Sequence, residues 1–183
     1  MADNSATVLL GIPIPSKDPV FLVFIVVHIA FGIAATISGA VAMLMNKGRG
    51  RHSRYGTIYF WLLAGVCSTM GILSAMRWSQ NYPLFILGVL ALATAYLGRQ
   101  FAGRYDVQGL RLHIAAMGSF YVLLLTAFYV DNGKNLPLWR DLPQATMWII
   151  PAAIGIPLIL RAMFRHPVLL KMSAKVTTDS AEG

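Results

Sequence analysis

Histidine supplies most of the chemistry open to this sequence, at four positions: His28, His52, His113 and His166. An imidazole ligates haem or a transition metal through one ring nitrogen and donates a hydrogen bond through the other. His28 lies nine residues after Pro19, or ~14 Å along a helix, near the middle of a long apolar run. A neutral imidazole there can hold two helices together by hydrogen-bonding Thr69 or Tyr121. The alternative is a haem ligand, for which Met70 is the natural partner at matching depth. His52, His113 and His166 instead fall at polar boundaries between apolar runs. Three imidazoles at one membrane face suit a transition metal; alternatively His52 and His113 hold a haem b from two helices. Arg51, Arg54 and Arg165 crowd His52 and His166 and oppose a bound cation, and interfacial polar residues are the plainer account. No His-x3-His or Cys-x2-Cys spacing occurs, and the single Cys67 lies inside an apolar run, so a cysteine cage or intrachain disulfide is impossible.

The acids narrow the classes further. Asp106, Asp131 and Asp141 sit at the ends of apolar runs, and the first glutamate is Glu182. Cation-coupled pumps keep a carboxylate within their helices, so a small-molecule transporter ranks third among the functions considered. Paired-carboxylate hydrolysis is opposed for the same reason. No phosphate-binding glycine loop, Gly-x-Ser-x-Gly or His-Glu-x2-His pattern is present.

These side chains must be positioned by elements that sit in lipid. Of 183 residues, 57% are hydrophobic and 12% charged, against about 25% charged in a soluble domain. The net charge is +8, but the basic residues punctuate apolar runs and form no water-exposed face for nucleic acid. Five runs reach the ~20 residues needed to cross a bilayer: 19–45, 56–78, 84–101, 110–130 and 143–164. Asp18 before Pro19 is a good helix start, an N-cap oxygen followed by a residue with no amide hydrogen. Residues 79–83 read as a tight reversal and 131–142 as a longer loop. Pro151 and Pro157 predict a kink in the fifth run. Gly32, Ala35 and Gly39, then Gly65, Gly71 and Ala75, predict close helix packing within or between chains. Residues 1–18 lack the features of a cleaved signal, so the first run is expected to stay as an anchor.

Charge sets the orientation. Placing the stretch 47–54 in the cytoplasm puts eleven basic residues on that side and leaves Lys17, Arg77, Lys134 and Arg140 on the other. The positive-inside rule then gives N-terminus out and C-terminus in. Trp78, Tyr82, Trp139 and Trp148 fall at the outer interface, where amphipathic rings are favoured. Arg49, Arg51, Arg54, Arg104, Arg111 and Arg165 gather at the inner face, as expected for contact with anionic lipid headgroups. Gly48-x3-His52-x3-Gly56-x2-Tyr59 echoes Gly109-x3-His113-x4-Gly118-x2-Tyr121, as in a parallel repeat of spans one-two and three-four.

Arg51, His52, Tyr55, Gly56 and Tyr59, with the later Arg111 and His113 and the run 126–133, resemble a family of bacterial polytopic membrane proteins. That family has about five spans and inner-face His/Arg motifs, and Ser53 here departs from its arginine. The resemblance covers 23–167 and implies architecture rather than activity.

The sequence therefore predicts an all-α integral membrane bundle of five transmembrane helices in a bacterial cytoplasmic membrane. An outer segment, 1–18, precedes the domain 19–165, and a cytoplasmic tail, 166–183, follows. The leading functional expectation is a non-enzymatic subunit or scaffold, as a homo-oligomer or beside partner subunits. A membrane redox protein holding haem b or a metal is the alternative.

Overall fold

A computed structural model describes residues 7–9, 12–14, 18–45, 50–104, 106–165 and 169–170. Among the described residues five helices are each long and apolar enough to cross a membrane: α1 (Pro19–Leu44), α2 (Arg51–Met76), α3 (Trp78–Phe101), α4 (Val107–Asn132) and α5 (Gln144–Arg165). A two-strand antiparallel hairpin, β1 (Thr7–Leu9) and β2 (Ile12–Ile14), precedes them. The fold is all-α apart from this hairpin, and the protein is a multi-pass membrane protein. The chain divides into two compact units, Met1–Ile86 and Leu87–Gly183.

In the first unit α1 and α2 form an antiparallel pair. Asp18 caps α1 as its sequence suggests, its carboxylate accepting from the Val20 amide at 2.9 Å. The contacts between the helices run in opposite directions along the chain. His52 meets Ala42, Tyr59 lies on Gly39, Phe31 on Gly65, and His28 bonds Thr69. At the far end the Arg77 guanidinium lies 5.8 Å from the Phe21 ring centre. Glycine is what permits the approach at Gly39, where a Cβ would stand 2.8 Å from Tyr59 Cε2. Ala35, Tyr59 and Leu63 are buried along this seam.

Helix α2 begins five residues before the predicted run, at Arg51, because hydropathy marks where lipid begins and not where a helix begins. Gly50 starts it at φ +147°, a conformation open to glycine. The predicted reversal at 79–83 is helical instead, and the turn is confined to Arg77. The Arg77 carbonyl accepts from both the Gln80 and Asn81 amides, at 3.1 and 3.0 Å. The buried Ser74 hydroxyl is shared between the Asn81 carbonyl at 3.4 Å and Met70 Sδ at 3.5 Å.

In the second unit α4 and α5 are also antiparallel. Gly118 lies against Ile159, Gly155 against Val122, and Gly133 against Met147. Helix α5 continues through Pro151, which is buried, and Pro157. The predicted loop 131–142 is ordered by its own polar groups. The Lys134 ammonium donates to the Arg140 and Leu142 carbonyls at 3.1 and 2.6 Å, and Trp139 stacks on Tyr129 at 4.0 Å.

Candidate functional site

The three described histidines are held in one way, through Nδ1. His52 Nδ1 is 2.8 Å from the Ala42 carbonyl, and His113 Nδ1 is 2.7 Å from the Gly98 carbonyl. A carbonyl only accepts, so Nδ1 carries the hydrogen in both rings. Both carbonyls belong to the last turn of the preceding helix, where backbone acceptors run out of helical partners, although that of Gly98 also accepts from the Ala102 amide at 3.1 Å. Each histidine therefore reaches back and caps the end of the helix before it. The sequence echo between the two motifs thus corresponds to a shared structural task. His113 is seven residues into α4 and His52 two into α2, so the task is shared without equal register.

His28 Nδ1 is 2.9 Å from Thr69 Oγ1. The Thr69 hydroxyl is itself within 2.9 Å of the Gly65 and Val66 carbonyls. Its one hydrogen is used there, so its oxygen accepts from His28 Nδ1. The structure thus pairs His28 with Thr69, one of the two partners the sequence allowed. Met70 follows Thr69 and turns its sulfur to the Ser74 hydroxyl.

With Nδ1 donating, each of these rings keeps an Nε2 lone pair. A histidine that ligates a metal or haem iron is typically oriented in this way by a carbonyl or other acceptor on its second nitrogen. His52, in the first unit, and His113, in the second, each have the tautomer and anchoring of a single Nε2 ligand. His166 lies outside the described residues. Among the described residues no group of three or more histidines, cysteines or acids is placed to hold a metal ion.

The basic residues divide by partner. Arg51 and Arg54, exposed in the first turn of α2, line a concavity of about 280 Å³ with Met45, Tyr55 and Ile58. Arg104 pairs with Asp106 at 3.1 Å, both side chains half exposed. Asp106 also caps α4, accepting from the Gly109 amide. That N–H bond is the main cause holding the Asp106 carboxyl below the usual carboxylate range; slight desolvation opposes it, and Arg104 adds to it. Arg111 lies over the Phe164 ring, 5.6 Å from its centre, and its buried Nε has no hydrogen-bond partner. Arg165 is exposed at the end of α5. Arg49 lies outside the described residues.

The orphaned Arg111 Nε and the histidine caps were not foreseen from sequence. A histidine soon after a helix end is the only signal the caps leave there. Comparison with protein-family models, curated proteins and solved structures finds no match to this chain.

Proposed function

We propose that the protein is a non-enzymatic subunit or scaffold of a bacterial cytoplasmic membrane, associating with a further transmembrane helix through α1. The observation that carries this is a row of small residues on the free face of that helix. The small residues of α1 differ in what they meet. Ala35 is buried and Gly39 takes the Tyr59 ring, whereas a Cβ on Gly32 would meet nothing within 4 Å. Thr36 and Ala40 follow at four-residue spacing and are exposed, flanked by exposed Ile33 and Ile37. The Thr36 hydroxyl is spent on the Gly32 carbonyl at 2.9 Å, so the row presents no unmet polar group to lipid. Small residues every fourth position let a second helix approach closely, which is how helices associate where no hydrophobic drive exists.

The excess of basic residues on one set of connections favours N-terminus out and C-terminus in, and the resemblance to the His/Arg-motif family favours a bacterial membrane. Native mass spectrometry of the full chain in mild detergent tests association. A second copy or a stoichiometric partner chain is expected, and Gly32→Ile should abolish it; a monomer alone would sink the reading. A cysteine at Ser53, with Cys67 replaced by alanine, should be labelled only from the cytoplasm.

The Nδ1 anchoring found separately at His52 and at His113 suits an Nε2 ligand, and haem b held by such a histidine is the second reading. An absorption spectrum of the purified protein decides it. A Soret band sharpening on dithionite reduction supports haem, and its absence from folded protein removes it.

A further inference from the structure

We infer that Arg111, resting on Phe164 at the α4–α5 seam, seats the phosphodiester of an anionic phospholipid. This rests on the reading that anionic headgroups surround the basic membrane face, and gives that reading one built site. The contacts Arg111–Phe164 and Gly118–Ile159 place the start of α4 beside the end of α5. Arg111 lies within the second turn of α4, where its charged head can reach the edge of the hydrocarbon. A guanidinium brings five donors and no acceptor. Among the described residues Nε, enclosed by protein atoms, has no hydrogen-bond partner, while the side chain as a whole is only part-buried. The nearby acid, Asp106, is already taken by Arg104 and by the Gly109 amide. An unmet donor facing lipid costs more than one facing water. Unlike the enclosed Nε, the terminal nitrogens of this part-buried side chain are the donors that an anion in the bilayer can reach.

Its chemistry is constrained. A planar fork matches two oxygens of one anion, either phosphate or carboxylate. Arg161 and Arg165, exposed on α5 within one turn of Phe164, add positive charge and favour a phospholipid of net negative charge over a zwitterionic one. Phe164 is itself 58% exposed, leaving an apolar surface beside the cation. A lipid meets both surfaces with one molecule, phosphate on the guanidinium and acyl chain along the ring edge. Free phosphate meets only the first.

The test titrates the full detergent-solubilised chain with phosphatidylglycerol, phosphatidylcholine or inorganic phosphate, counting lipid adducts by native mass spectrometry and following thermal stability. Phosphatidylglycerol should bind in preference to phosphatidylcholine and raise the melting temperature. Arg111→Gln should weaken that binding roughly tenfold, the value of a lost charge-assisted pair. Arg111→Lys should fall between, and Arg140→Gln should change nothing. Should Arg111→Gln fail to fold, Phe164→Leu carries the test, with phosphatidylglycerol binding expected to weaken while the chain still melts cooperatively. A headgroup preference that survives Arg111→Gln, or Phe164→Leu in its place, overturns the site while leaving the general reading standing. No preference for phosphatidylglycerol overturns both, and saturation by inorganic phosphate with no lipid adduct overturns the lipid assignment.

Discussion

The seam between α1 and α2 allows one substitution to be tested against itself at two sites. Gly39 and Gly56 both lie within helices of the first unit. A Cβ at Gly39 would stand 2.8 Å from Tyr59 Cε2 and 3.1 Å from Cδ2 and Cζ, whereas at Gly56 it meets nothing within 4 Å. Alanine in a helix gains about 0.5–1 kcal/mol over glycine at either site, by limiting the unfolded chain. At Gly39 that gain is opposed by overpacking. The Tyr59 ring is 6% exposed, hence wedged, and must withdraw by about 0.6 Å to restore ordinary contact, at a typical cost of 1–3 kcal/mol. Gly39→Ala should therefore be less stable than Gly56→Ala by about 1–3 kcal/mol. On the scaling for chains of this length that is roughly 2–4 °C per kcal/mol in melting temperature. Thermal unfolding of both variants in the same detergent, followed by circular dichroism, gives the comparison. Equal melting temperatures, or a more stable Gly39→Ala, would refute the packing argument, since local helix propensity cancels between the two.

Further outcomes follow from individual contacts. Thr69→Val removes the acceptor for His28 Nδ1 and should destabilise by about 1 kcal/mol, with Thr69→Ser close to wild type; a double-mutant cycle with His28→Phe checks that the loss belongs to the pair. Asp106, whose carboxyl is held low chiefly by the Gly109 amide, stabilises the α4 start at pH above the ordinary carboxylate range. That contribution is lost as pH falls through the lower folded value. Asp106→Ala should therefore speed hydrogen exchange at the first α4 amides at neutral pH and make no difference in strong acid. Gly50→Ala forces a side chain onto φ +147° and should cost about 1–3 kcal/mol, read as a lower melting temperature.

Much of the fold is legible because the membrane writes it into composition. The start of α1 was readable to the residue, since Asp18 and Pro19 are a local signal needing nothing from elsewhere. The α2–α3 reversal was not. Pro83 looks like a turn residue, but the turn is made at Arg77 and secured by Ser74 and Asn81, whose bonds depend on contacts no local pattern encodes. The His28–Thr69 pair was half legible, since depth along two helices named Thr69 but not the face it shared. The α1 small residues show the same limit. Spacing grouped Gly32 with Ala35 and Gly39, and seven residues do bring Gly32 to within about 20° of Gly39 around the helix, but only Gly39 meets a ring of α2 at its own level. The histidine tautomers and the stranded Arg111 Nε depend on neighbours in space, so sequence was silent on them.

The backward reach of His52 bears on how such a chain enters a bilayer. A helix arriving alone carries bare carbonyls at its trailing end, which lipid cannot satisfy. The Ala42 carbonyl finds its partner ten residues further along the chain, and the Gly98 carbonyl finds a second one fifteen further along. For α1 the smallest segment that answers its own backbone is thus the helix together with the opening of α2. The natural parcel for insertion at this end of the chain is that pair.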